Sequence, residues 1–142
     1  MKKLYLIGGA MGAGKSAVGR ELNRLANKSG GLDGDDLWRM NPFAVSDITK
    51  LMVMKNIRAV INNFLACLDI ECVIFTWVMH EQKIIDDILS GLALDGVEVK
   101  AVSLVLSEEA LKRRLEKDIA AGVRKPDIVE RSLGYLKKYD GL

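Results

Sequence analysis

The chain has 142 residues, 49% of them hydrophobic and 28% charged, and a formal net charge of +2. That length suits one packed core and is short for two ordinary domains, so residues 1–142 read as a single domain. The charge is too mild for the dense basic face of a non-specific nucleic-acid binder, and the apolar runs are too short to span a membrane.

The start, Met1-Lys2-Lys3-Leu4, resembles a secretory leader only briefly. The apolar stretch behind it ends in Gly8-Gly9 and enters a loop, so a cytoplasmic protein is expected. Leu4 to Ile7 reads as a first strand. Gly9 to Ser16, Gly-Ala-Met-Gly-Ala-Gly-Lys-Ser, then matches G-x-x-x-x-G-K-[ST], the phosphate-binding loop, in the strand-loop-helix setting that makes the pattern specific. Glycines let successive backbone N–H groups point at phosphate oxygens, where side chains would block the approach. Lys15 is placed to reach the β and γ phosphates and Ser16 to offer its hydroxyl to Mg²⁺, with the positive end of the following helix facing the anion. Gly9, Gly12, Ala13, Gly14, Lys15, Ser16 and Ala17 are thus the candidate nucleotide contacts.

From Ser16 to Lys28, Val18, Leu22, Leu25 and Ala26 form a helical stripe, with Ser29-Gly30-Gly31 as its stop. Leu32 to Asp36 reads as the end of a short second strand, followed by a loop through Trp38, Asn41 and Pro42. Ser46 is a good N-cap for a long helix carrying Ile48, Leu51, Met52, Ile57, Val60, Ile61, Phe64 and Leu65, with a bend admitted near Asn56. Met52 and Met54 read as core filling. Cys72 to Val78 is apolar on both faces, as in the middle of a covered parallel sheet. Glu81 to Leu92 is helical, and Val99 to Leu106 is a fourth strand. Ser107-Glu108-Glu109 caps a helix that Gly122 ends, and Pro126 to Tyr139 reads as a last helix.

Alternating strands and helices imply a three-layer αβα domain with a parallel sheet, its ligands outside the carboxyl ends of the strands. The phosphate loop, Asp33 to Asp36 and Trp77 to His80 all fall at that edge. Cys67 and Cys72 lack zinc-binding spacing and read as buried free thiols. No internal repeat or low-complexity tract is present.

With the loop and Leu32-Asp33-Gly34-Asp35 both placed, the chain resembles the P-loop small-molecule kinases, the group of gluconate, shikimate and adenylylsulfate kinases, over residues 1 to about 139. The resemblance implies the P-loop nucleoside triphosphate hydrolase fold in its nucleotide-kinase-like form, with the last strand apparently missing. It implies ATP and Mg²⁺ as cofactors and a small-molecule hydroxyl as phosphate acceptor. In this group one carboxylate of the Asp-x-Asp pair helps to hold Mg²⁺ and the other orients the acceptor, roles that fall to Asp33 and Asp35. A short lid, here about 118–127, bears arginines: Arg114 looks like the one near adenine or phosphates, Arg124 like the one meeting the γ phosphate on closure, and Arg113 reads as surface charge.

Strand three ends Phe75-Thr76-Trp77 with no acid, so the Walker B carboxylate is absent from its usual place and Asp33 is the candidate for the metal's outer shell. That absence also argues against an oligomeric motor ATPase. Arg58 has two readings, a contact to an anionic part of the acceptor and a solvated helix residue. Trp38 and Trp77 flank the presumed acceptor pocket, with core packing as the plainer role for Trp77. His80 receives no catalytic role. The expected function is ATP-dependent phosphotransfer to a small-molecule hydroxyl by a monomer or dimer that does not engage a membrane. The alternatives are an inactive nucleotide-binding module and, least favoured by the charge, a kinase of polynucleotide ends.

Overall fold

The computed structural model describes residues 1–122 and 128–139, with side chains described as far as residue 134. Arg124 and the second half of the anticipated lid, residues 123–127, lie outside the described residues. The strands are β1 (Lys2–Gly9), β2 (Ser29–Asp33), β3 (Cys72–Thr76) and β4 (Val97–Leu104), and the helices are α1 (Lys15–Leu25), α2 (Asp47–Ala66), α3 (Gln82–Ser90), α4 (Glu108–Ala120) and α5 (Ile128–Tyr139). Among the described residues the strands form one four-stranded sheet in the order β2-β3-β1-β4, every neighbouring pair parallel. The additional strand that would complete the expected fold is absent from the described residues.

The alternation of side chains along the central strands divides the interior in two. Leu4 and Leu6 of β1 join Val73 and Phe75 of β3 in a core with Val53, Ile57 and Ile61 of α2 and Ile85 and Ile88 of α3. Ile7, Cys72 and Ile74 point the other way, toward Leu22 and Ala26 at α1. Both faces of β1 and β3 are therefore covered, and burying each such side chain contributes about 1.5–3 kcal/mol. A third cluster, Ala10 with Leu111, Leu115 and Ile128, seats α4 and α5 against the first residues after β1.

Several boundaries differ from the sequence expectation, for identifiable reasons. Ser29-Gly30-Gly31 does not merely end a helix; it begins β2, because a neighbour needs the space: a Cβ on Gly30 would lie 2.5 Å from the Phe64 ring. The α1 stripe is also rotated from the expected one. Val18 and Leu25 are exposed, while Gly19 is buried, and a Cβ there would lie 2.6 Å from Thr76. A glycine thus lets α1 lie close against β3, a contact that hydrophobicity alone does not reveal. β4 begins at Val97, two positions earlier than its apolar run suggested, because pairing with β1 decides its extent.

Ser46 caps α2 as expected, its hydroxyl accepting from the Thr49 N–H at 3.1 Å while the Thr49 hydroxyl accepts from the Ser46 N–H at 2.8 Å. Such a reciprocal cap contributes about 1 kcal/mol. α2 continues through Asn56, whose amide donates to the Leu37 carbonyl at 3.0 Å. Met54 packs on the core as read, but Met52, Ile48 and Leu51 are exposed on the first turns. No helix among the described residues is long and apolar enough to cross a membrane.

Candidate functional site

β1 delivers the chain to the phosphate loop, and two glycines in left-handed conformations, Gly12 at φ 84° and Gly14 at φ 95°, curl it into α1. Residues with a Cβ disfavour that region. The turn is closed by the Ala13 N–H donating to the Ala10 carbonyl at 3.0 Å. Gly14 is the residue before α1, and no side chain caps the helix there. The first turn of α1, which includes Ser16 and Ala17, thus begins at the loop, the arrangement of a helix N-terminus that receives a phosphate. Lys15 is buried in this turn.

α4 and α5 hold the loop from outside. A Cβ on Gly12 would lie 2.6 Å from Leu115, so helix α4 presses directly on the loop backbone. The Arg114 guanidinium donates to the Ala13 carbonyl at 3.4 Å and lies 3.5 Å from where a Gly14 Cβ would stand. Ser132 of α5, fully buried, donates its hydroxyl to the Met11 carbonyl. Sequence reading missed Ser132, since a serine on a helix carries no signal of a partner more than a hundred residues away.

A carboxylate does stand beside the end of β3, on the neighbouring strand. β2 and β3 pair in a register that sets Asp33 beside Thr76. Asp33 Oδ2 accepts from the Ser16 hydroxyl at 2.9 Å and from the Thr76 hydroxyl at 3.1 Å, while Oδ1 accepts from the Asp35 N–H at 3.0 Å. Hydroxyl and carboxylate oxygens converging beside a phosphate cradle are a donor set suited to Mg²⁺, a hard cation that prefers oxygen and retains several waters. Thr76 was not singled out from sequence. Its partner depends on β2 and β3 becoming neighbours, which no local pattern in the sequence announces.

Asp35 stands at the start of the 3-10 turn Gly34–Trp38. Its Oδ1 accepts from the Trp77 indole N–H at 3.1 Å, and Trp77 stacks in a tilted manner on Trp38 at 6.5 Å, which in turn meets Phe43 at 5.6 Å. A Cβ on Gly34 would lie 2.4 Å from the Trp77 ring, so the glycine admits the indole beside the carboxylates. The Trp38 indole nitrogen is buried without a hydrogen-bond partner among the described residues. On the α1 side a cavity of about 440 Å³ opens against Ser16, Asp33, Asp35 and Thr76, with Arg20 and Asp36 at its wall.

Arg58 is not brought to this site. Its guanidinium donates to the Asp87 carbonyl and packs on Gly91, tying α2 to the last turn of α3. In a parallel sheet α3 descends from the carboxyl end of β3 toward the start of β4, so this contact lies toward the opposite edge from the phosphate loop. The acceptor-anion reading of Arg58 is therefore withdrawn. The thiol reading is corrected in part, since Cys72 is buried but Cys67 is exposed. Burial pushes the Cys72 thiol pKa up, with the Lys3 charge opposing.

A family model described as AAA domain matches residues 6–132. A chain of the Pnkp1/Rnl/Hen1 RNA repair complex superposes with a TM-score of 0.76 at 20% identity, over 99% of this chain but 45% of that one. The present chain thus spans less than half of that relative. A gluconokinase from Sinorhizobium meliloti 1021 gives a TM-score of 0.65 at 20% identity, covering 94% of this chain and 74% of that one. Shikimate kinase from Acinetobacter baumannii, in complex with shikimate, gives 0.59 at 20% identity, covering 99% and 77%. At such identities the likeness is one of fold, a P-loop kinase-like α/β domain. No curated protein matches the chain significantly.

Proposed function

We propose, from the premise that this chain belongs to the AAA domain family, that it is an ATP- and Mg²⁺-dependent kinase transferring the γ-phosphate to a hydroxyl of a small molecule. The observation that carries this reading is the Asp33 carboxylate, bonded to Ser16 of the phosphate loop and to Thr76, with Asp35 two residues on. A loop that only bound nucleotide would have no use for a second carboxylate beside the terminal phosphate.

In this mechanism the N–H groups of Gly12 to Ser16 and the ammonium of Lys15 bind the phosphates, with Gly9, Ala13 and Ala17 shaping the cradle. Ser16 and, in the outer shell, Asp33 would hold Mg²⁺, which when bound draws charge from the β and γ phosphates. Asp35 orients the acceptor hydroxyl and takes its proton as the oxygen bonds to the γ phosphorus. The bond to the β–γ bridging oxygen breaks, and ADP carries that electron pair away. Trp77 orients Asp35 and, with Trp38, borders the acceptor. Arg114 neutralises charge at the loop, and Arg124 is the candidate for closure over the γ phosphate.

The end of β3 lacks the paired acids with which a motor ATPase activates water, which supports transfer to an acceptor over hydrolysis coupled to motion. Transfer to a polynucleotide end is the second reading, favoured by the match to the RNA repair complex chain. The net charge of +2 weighs against it. Measuring ADP formation across sugars, nucleosides, hydroxy acids, aminoglycosides, phenicols and 5′-hydroxyl oligonucleotides, with product masses, tests both. An added phosphate on a small molecule is the expected result, and ATP binding with no phosphorylated product from any class overturns the proposal.

A further inference from the structure

The bond from the Ala13 N–H to the Ala10 carbonyl closes a four-residue turn, Ala10 to Ala13, inside the phosphate loop. Gly12, its third residue, has φ 84°, while Met11 is not among the residues of positive φ, so the turn is of type II. Types I and II differ by half a rotation of the central peptide plane, here Met11–Gly12, and the closing bond is compatible with both. Glycine adopts positive and negative φ about equally well, so Gly12 does not itself choose between them. The choice matters to an anion. One orientation offers the phosphate an N–H, and the other offers it a carbonyl oxygen.

α5 supplies a reason for the orientation seen. Ser132 is fully buried, and its hydroxyl donates to the Met11 carbonyl. The Met11–Gly12 peptide is trans, so its N–H points to the side opposite that carbonyl, away from α5. Leu115 of α4 packs against Gly12, where a Cβ would lie 2.6 Å from it, and so holds the other end of the same peptide. Arg114 acts in the same sense two residues on, donating to the Ala13 carbonyl at 3.4 Å and leaving the Gly14 N–H on the opposite side.

Resting on the phosphate-loop part of the reading above, we infer that Ser132 is a positioning residue for nucleotide binding. By holding the Met11 carbonyl outward it keeps the Gly12 N–H on the phosphate side of the loop before any ligand arrives. Without that bond the rotated peptide competes, and affinity falls in proportion to the fraction of molecules left in the binding orientation.

The full chain is titrated by calorimetry with ATP and, separately, with inorganic tripolyphosphate, both with Mg²⁺, under conditions where urea denaturation shows each variant to be folded. Ser132→Ala is expected to weaken both ligands about three- to tenfold. Ser132→Cys, with a weaker donor in nearly the same volume, is expected to fall between Ser132→Ala and the wild type. The control is Ile61→Val, a comparable loss of stability in the core under α2, far from the loop in the fold. It is expected to bind both ligands as the wild type does.

Wild-type affinity in Ser132→Ala overturns the inference, as does an equal loss in Ile61→Val, which would assign the effect to stability alone. A loss for ATP without one for tripolyphosphate overturns it too, because the phosphate contacts would then be intact. A wild-type chain that binds neither ligand removes the phosphate-loop reading and this inference together. The expected affinities with no phosphorylated product from any acceptor leave the role of Ser132 standing and remove only the kinase reading.

Discussion

Ser16 and Asp33 are seventeen positions apart in sequence, yet the serine hydroxyl donates to the carboxylate at 2.9 Å. One strand's phosphate loop and another strand's terminal acid thus form a single oxygen site, with Thr76 of the strand between them as the third member. Asp33→Asn keeps the shape and halves the acceptor capacity for these hydroxyls. It is expected to weaken Mg²⁺-dependent ATP binding about 10–100-fold while leaving Mg²⁺-free nucleotide binding nearly unchanged. Calorimetry with and without Mg²⁺ checks this, and equal losses in both conditions would remove Asp33 from the metal site.

Lys15 begins α1 where the loop backbone turns toward the phosphates. Lys15→Ala removes a charge without disturbing either core, so far-ultraviolet circular dichroism is expected to stay native. Phosphoryl transfer is expected to fall by at least about a hundredfold, the scale for losing one electrostatic contact to a transition state.

Asp35 and Trp77 separate binding from chemistry. Asp35→Asn is expected to lower kcat by about 10²–10⁴-fold while sparing ATP affinity, because it removes the proton acceptor and touches no nucleotide contact. Retained turnover would exclude Asp35 from the mechanism. Trp77→Phe keeps a ring but loses the 3.1 Å bond to Asp35, so kcat is expected to fall by less, about three- to tenfold, through misorientation of the carboxylate.

Gly12→Ala tests how tightly α4 holds the loop. The new Cβ would sit 2.6 Å from Leu115 at a backbone φ of 84°, so a destabilisation of about 1–3 kcal/mol is expected, with weakened ATP binding. Ser132→Ala removes the α5 bond to Met11 and is expected to cost about 1 kcal/mol, the scale for losing a hydrogen bond at a part-buried carbonyl. Urea denaturation read by tryptophan fluorescence measures both.

The two thiols are expected to react at different rates. Cys67 is exposed, whereas burial raises the Cys72 pKa. A raised thiol pKa leaves less thiolate at any given pH below it, so near pH 8 a thiol reagent is expected to label Cys67 first and Cys72 only after unfolding. Comparable labelling of both in the native protein would contradict the buried setting of Cys72.

Sequence alone determined those parts of the protein that short-range chemistry specifies. The phosphate loop was legible because its glycines, Lys15 and Ser16 act within eight consecutive residues, and the Ser46 and Ser107 caps were legible because each satisfies a backbone group three residues away. The order of strands and helices followed from periodicity, and the P-loop kinase-like form of the fold from the resemblance carried by the phosphate loop and Leu32-Asp33-Gly34-Asp35. Tertiary structure decided what depends on which strands become neighbours. Pairing of β2 with β3 brought Asp33 to Thr76, the turn after Asp33 brought Asp35 to Trp77, and the packing of α2 on α3 took Arg58 away from the site. Glycines read as a helix stop became β2 because Phe64 required the room. A residue's local pattern records its own conformational preference, whereas its partners are set by packing over the whole chain, and the chemistry at Asp33 and Asp35 belongs to those partners.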